Sequence, residues 1–244
     1  MNFEYFITKR IVSAKEYKNS ISSPIIKIAI LSIVIGFVTM LISIASGVGL
    51  QNKIYQKVSA FNGDIIISNF DTNFSDDSQN PISTIQGFYP TFSSIKGIQH
   101  IQATASKGGV IRTPNKFEGV VVKGVGKDYD WNYFNEFLID GSLPDYSHLL
   151  TNKILISEYT STRLNLKVGD KLNTFFFNSD NSKLPRSRSF KVSGIYNSGF
   201  NEFDEKFVIA DIRHIQRLNK WSENEIGAYE VFVYKASTMC LYKA

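Results

Sequence analysis

The sequence predicts an α+β protein: one N-terminal transmembrane helix, then a mixed α/β extracytoplasmic domain. Three observations carry this reading. Residues 28–50, IAILSIVIGFVTMLISIASGVGL, contain no charged side chain. Beyond them, apolar runs of strand length alternate irregularly with short helical patterns, as in α+β layers. Aromatic residues make up 14% of the chain, 19 Phe and 12 Tyr among them, which suits a packed, β-rich core and argues against disorder.

In the leader, residues 1–24, Phe3, Phe6, Ile7, Arg10 and Ile11 fall at helical spacing, with Lys9, Lys15 and Lys18 close by. That pattern suits a short helix on the membrane surface. Ser22-Ser23-Pro24 reads as a helix start with proline in the first turn. The span itself is residues 25–50. Its uncharged stretch of 23 residues, 28 to 50, rises about 34 Å, enough for a hydrocarbon layer of about 30 Å. A signal-peptide core is shorter, about 7–15 residues. A globular helix of this length carries a polar face. Here the polar side chains are Ser32, Thr39, Ser43 and Ser46, whose hydroxyls can bond back to their own helix. Lys9, Arg10, Lys15, Lys18 and Lys27 precede the span, against Lys53 and Lys57 just after it. Basic flanks stay cytoplasmic, so the N-terminus is expected inside and residues 51–234 outside the inner membrane.

Residues 51–60 continue the helix, with Ile54 and Val58 on one face, and Phe61-Asn62-Gly63-Asp64 turns. Ile65 to Ile67 begins a buried strand, residues 70–84 are a polar loop, and Pro90 to Ile98 is a short helix. Ile101 to Arg112 and Phe117 to Lys123 are strands separated by Thr113-Pro114-Asn115. Residues 127–150 are mixed, with turns at Asp140-Gly141 and Pro144-Asp145. Ile154 to Ile156 is a strand and Glu158 to Leu164 a helix; Val168-Gly169-Asp170 turns into the strand Lys171 to Phe177. Residues 178–187 form a loop before the strand Phe190 to Tyr196. Lys206 to Ala210 is a strand, Asp211 to Asn219 a helix, and Ala228 to Tyr234 the last strand. The tail, residues 235–244, is polar, short and patternless, and is expected to be loose.

The chemistry-bearing motifs are missing. No G-x-x-x-x-G-K-[ST] phosphate cradle is present, and GVGKDYD at Gly124 lacks its spacing and reads as a strand end. His100, His148 and His214 are scattered with no H-E-x-x-H and no cysteine partners, so no metal site is expected. There is no G-x-S-x-G nucleophile elbow. Asp76-Asp77 reads as a solvated pair, and Trp131 and Tyr133 as aromatic core rather than a pocket lining. The single cysteine, Cys240, allows no internal disulfide. Net charge is +5, much of it in the N-terminal segment, so topology accounts for part of it and nucleic-acid binding is not implied. Neither an enzyme in its own right nor a cofactor is expected.

The opening FEYFITKRIV…SISSPIIKIAILSIVIGFVTMLISIASGVGLQNKIYQKV resembles the start of an ABC-transporter permease of the MacB/FtsX type, closest to the lipoprotein-releasing (Lol-type) branch. GVVVKGVGKDYDW, FLIDGSLPD, NKILISEYTSTRLNLKVGDKL and RSFKVSGIYNSGFNEFDEKFVIADIRHIQRLN follow in the order of that family's outer domain. The resemblance reaches about Tyr234. It implies that residues 51–234 form a MacB-like periplasmic core domain. It also implies a pair of permease subunits, a separate cytoplasmic ABC ATPase, and extracytoplasmic work such as lipoprotein release or export. Such permeases have three further spans, with the ATPase coupling helix between the second and third. KASTMCLYKA neither resembles them nor forms a span, so a C-terminal truncation or frameshift is expected, and transport by these residues alone is not.

In the lipoprotein-releasing branch, a loop between the strands corresponding to those around Phe177 to Ser189 recruits a soluble periplasmic lipoprotein carrier. Here that loop holds Leu184, Pro185, Arg186 and Arg188, an apolar tip with two cations suited to an acidic or grooved partner. The rival reading of the chain is a single-pass, membrane-anchored periplasmic binding or sensor module.

The charge bias generates a test of topology. A membrane-impermeant maleimide is expected to label Cys240 in intact spheroplasts. Labelling only after the membrane is broken, with Cys240 reactive in detergent, contradicts an external domain.

Overall fold

The computed structural model describes residues 3–12, 22–70, 77–91, 95, 97–176 and 185–234. It forms two compact units, Met1–Gln56 and Lys57–Ala244. The first holds α1 (Phe3–Val12) and most of α2 (Ser22–Asn62), an unbroken helix of 41 residues. From Pro24 onward α2 is long and apolar enough to cross a membrane, with a mean hydropathy of 2.7 in its apolar window, none of it buried. A core helix would be covered there; this one is dressed for lipid. Three of its hydroxyls bond back to their own helix. Ser32 Oγ donates to Ile28 O at 2.9 Å, Thr39 Oγ1 to Gly36 O at 2.9 Å, and Ser43 Oγ to Thr39 O at 2.8 Å.

The second unit contains β1 (Ile65–Ser68), β2 (Ile82–Ser83), β3 (Ile98–Arg112), β4 (Phe117–Val125), α3 (Asn132–Asn135) and β5 (Leu138–Gly141). β6 (Lys153–Ser157), α4 (Glu158–Leu164), β7 (Lys171–Phe176), β8 (Arg186–Tyr196) and α5 (Asn201–Asp204) follow. β9 (Phe207–Asp211), α6 (Ile212–Asn219), β10 (Glu225–Ile226) and β11 (Ala228–Val233) complete it. The main sheet runs β1-β11-β3-β4-β9-β6-β8-β5, and β7 pairs with both β3 and β8. Strands β3, β4, β9, β6, β8 and β7 therefore close into a ring, mostly antiparallel but parallel at β4–β9 and β6–β8.

Period-two alternation divides the ring into faces. Ile111, Leu172, Phe176, Phe190 and Val192 point inward and meet Leu164, Ile212, Ile215 and Leu218 from α4 and α6 in the main core. Their sequence neighbours point outward. Strands β6 and β9 are buried on both faces, because Leu155 and Ile209 join a second, aromatic core with Phe61, Tyr129, Phe134, Tyr146 and Tyr196. That explains why ILI at 154–156 reads as a continuous apolar run rather than an alternating one. The helices have clear local causes. Ser157 caps α4 by accepting from Thr160 N at 3.0 Å, and Asp211 caps α6 by accepting from Arg213 N at 3.0 Å. Gly124 lets α6 approach β4 so closely that a Cβ would stand 2.7 Å from Ile212 Cα.

Several sequence expectations change. Ile65 to Ile67 is a strand but an edge one, with Ile65 and Ile66 exposed, because β1 has a partner strand, β11, on one side only. Phe61-Asn62 is not a turn: α2 runs through both, and Gly63, at φ 68°, ends it by donating to Ser59 O at 2.8 Å. The helix expected from Pro90 to Ile98 fails at its end, where Gly97 takes φ 111° and Ile98 opens β3; residues 92–94 and 96 lie outside the described residues. The loop expected over 178–187 ends sooner, since β8 starts at Arg186. The tail 235–244 lies outside the described residues.

His214 on α6 is buried at 4% exposure, its Nε2 2.9 Å from Thr151 O and its ring edge-on to Phe190. Burial pushes its imidazole below the ordinary range, with Arg188 and Arg217 adding to this and Thr151 and Asp211 opposing it. As pH falls below about 6.5, the unfolded chain takes up the proton first, so stability present above that pH is lost. Urea unfolding is expected to show a falling free energy from about pH 6.5 to 5.5, and His214→Gln to flatten that slope. A flat wild-type profile there contradicts a buried neutral His214.

Candidate functional site

The last turn of α2, from Lys57 onward, belongs to the second unit. Phe61 is 1% exposed. Its ring lies 4.8 Å from Phe203, 5.1 Å from Phe134, and 5.8 Å from both Phe137 and Tyr196, centroid to centroid. Those rings come from α5, α3, the residue before β5, and the end of β8. Four rings from three stretches of the chain thus grip one side chain of the helix end.

A helix end leaves carbonyls without partners, and a buried end cannot use water. Lys123 of β4 answers this: its Nζ donates to Phe61 O. The same ammonium pairs with Glu230 Oε1 of β11 at 2.5 Å, with both side chains at 5% exposure or less. Glu230 Oε2 accepts from Gln102 Nε2 of β3 at 2.9 Å, and Gln102 Oε1 accepts from Asp130 N at 3.1 Å. The cation also sits where the helix dipole is negative. Beside this network, Ser59 Oγ donates to Asp64 Oδ1 at 2.6 Å, and Val233 N donates to Asp64 Oδ2 at 2.8 Å. The Tyr129 hydroxyl is buried with no hydrogen-bond partner among the described residues; burial first, then Glu230, pushes its pKa well above the ordinary tyrosine range. The arrangement has no nucleophile–base pair. It is a joint that fixes the end of a helix to three adjacent strands.

Sequence reasoning did not single out this joint. The signal was there: Lys123 in GVVVKGV and Glu230 in AYEVFV are lone charges inside apolar strands. A lone charge at a strand position that faces a core needs a partner, and each is the other's.

The residues that the sequence did single out separate in space. Leu184 lies outside the described residues, and Pro185 is exposed just before β8. Arg186 and Arg188 sit on β8, at the inward positions shared with Phe190. Arg186 Nη1 donates to Leu218 O in the last turn of α6 at 2.9 Å, and Arg188 Nη1 to Ser187 O at 3.0 Å. Arg186 therefore serves a helix end, and Pro185 and Arg186 lie on opposite faces of the ring wall. Trp131 stacks edge-on with Tyr129 and Phe134 in the aromatic core; the Tyr133 side chain lies outside the described residues. Asp77 accepts from Gly108 N at 3.1 Å and lies 3.9 Å from Lys107, and Asp76 is outside the described residues. His100 bonds to Asp128 O and His214 to Thr151 O. Among the described residues no group of His, Cys, Asp or Glu is placed to hold a metal.

Known proteins give the joint its context. Residues 28–236 match the family described as the MacB-like periplasmic core domain. The chain is similar to the periplasmic region of MacB from Actinobacillus actinomycetemcomitans, at 16% identity and a TM-score of 0.44, over 71% of this chain and 75% of that one. It is also similar to the extracellular domain of the noncanonic ABC-type transporter YknZ from Gram-positive bacteria, at 14% identity and a TM-score of 0.44, over 70% and 85% of the two chains. No curated protein sequence matches it. The family match spans both the apolar helix and the closed ring, and the chain belongs to the MacB-like periplasmic core domain family.

Proposed function

We propose that this chain is the membrane-attached, force-receiving part of an ABC-transporter permease. In this reading its N-terminus is cytoplasmic and residues 51–234 are periplasmic. It pairs with a second permease subunit, and a separate cytoplasmic ATPase drives the pair. The work done is outside the membrane; release of lipoproteins to a periplasmic carrier is the form favoured by the sequence resemblance, with Pro185 and the segment containing Leu184 as its contact. Family membership supports the permease role. One observation carries the mechanical part: the final turn of α2 is built into the core of the outer domain, with Phe61 gripped by four rings and its carbonyl held by Lys123. A helix end anchored this way has no slack turn in which movement could dissipate.

The joint's energetics follow from its burial. Lys123→Met alone leaves Glu230 charged, buried and unpaired, and is expected to lower stability by about 3–5 kcal/mol. Lys123→Met with Glu230→Leu removes both charges and is expected to cost much less than the single change, since buried pairs exchange nearly evenly for apolar ones. Urea unfolding of the two variants measures the difference. Equal losses would mean that the pair is not a closed unit.

The same double variant tests the function, because it is expected to fold yet leaves Phe61 O unheld. Spin labels go on Leu149→Cys, 85% exposed, in a Cys240→Ser background, with the permease assembled with its ATPase in nanodiscs. ATP is expected to shift the distance between labels of the two subunits. In the double variant that shift should shrink while hydrolysis continues. No ATP-dependent shift in the parent protein rejects the reading; an undiminished shift in the double variant removes the joint from it.

A further inference from the structure

The outer face of the ring carries a groove that the joint does not use. It lies between the β3–β4 turn and the paired strands β7 and β8, with a volume of about 460 Å³. Its floor is Val110, Phe175 and Phe117, and Pro185, Arg112 and Lys116 border it. Strand register explains why these meet. Val110 pairs with Phe175, and Arg112 with Phe117, so alternation sends all four to the same outward face. Pro185 shares that outward side, while Arg186 and Arg188 face inward.

Two features show that the face is unfinished. Phe117 is 76% exposed, at the tip of a strand and directly opposite Arg112. Lys116 is already committed, donating to Arg163 O at 2.6 Å, but the exposed Arg112 side chain makes no hydrogen bond or ion pair with a described residue. Among the described residues no carboxylate lines the groove. An apolar floor beside an unpaired guanidinium calls for an apolar group next to an anion. Among the described residues the groove is also more open than enclosed. It cannot enclose an acyl chain as ligand pockets enclose their ligands, so the occupant must bring its own cover, as a protein does.

We propose that this groove docks an acidic segment of a partner protein, which sets an apolar side chain against Phe117, Phe175 and Val110 and a carboxylate against Arg112. The surface is distinct from Arg186 and Arg188 but shares Pro185 with the carrier contact proposed above; Arg112 and Phe117, which that reading does not use, carry the proposal.

The full chain in phosphatidylcholine nanodiscs is titrated with a fluorescein-labelled peptide bearing Phe-Leu flanked by Asp and Glu, and with its Lys-flanked counterpart, by anisotropy. Saturable binding of the acidic peptide alone is expected. Arg112→Glu and Phe117→Ser should each weaken it about tenfold, and Arg186→Ala should leave it unchanged. Both altered side chains are exposed, and near-ultraviolet circular dichroism verifies the fold. No saturable binding by the folded parent chain, or binding indifferent to both substitutions, overturns the proposal. Sedimentation with phosphatidylglycerol vesicles, lost in Arg112→Glu and unmatched by peptide binding, assigns the face to a lipid surface instead. Peptide binding that emerges only after residues 178–183 are replaced by glycine and serine assigns the groove to that segment of the chain, and equally overturns it.

Discussion

The sheet domain depends on how one ammonium group is shared. A helix that ends inside a protein core brings unpaired carbonyls with it. Lys123 satisfies one of them, at Phe61. A buried cation then needs an anion, which is Glu230, and the second oxygen of that carboxylate needs a donor, which is Gln102. Each member is there because the one before it would otherwise be stranded in low dielectric. The network runs across β4, β3 and β11, neighbours in the sheet, so satisfying the helix end also fixes where those strands meet.

The second core follows from the same constraint. Holding the backbone of a helix end is a matter of hydrogen bonds; holding its direction requires packing. Phe61 supplies that by entering a cluster of aromatic rings on the face of β6 and β9 opposite the main core. Those two strands are covered on both sides as a result. The domain has two hydrophobic cores with a shared wall, one finishing the ring and one receiving the helix.

Much of this was legible in the sequence, for reasons that are local. The span declared itself by length and lack of charge, and α4 and α6 lie where the sequence places short helices after apolar strand runs. The inward and outward faces of β7 and β8 follow from alternation once the register is known. Ring closure was not legible, because the pairing of β7 with β3 joins segments far apart in sequence. The aromatic grip on Phe61 was hidden for the same reason: its partners lie between residues 134 and 203. Pro185 and Arg186 were grouped because they are adjacent in the chain, and period two separates them. Residues adjacent in the chain look like one tip until a strand begins at Arg186 and sends its neighbours to opposite faces. The charges at Lys123 and Glu230 were visible as anomalies, and only the fold shows that they answer each other.

Ring closure also bears on how such a protein can vary. The position of β8 is set by hydrogen bonds to β6 on one side and β7 on the other, over Lys153–Ser157 and Lys171–Phe176. The register of β8 is therefore held by strand pairing on both of its edges. Substitutions, insertions and deletions between residues 177 and 184 can accumulate without moving Phe175 or Phe190. Lineages are free to rewrite that segment for new partners while the framework beneath it stays constant, and sequence divergence in this family should concentrate there before it reaches the strands.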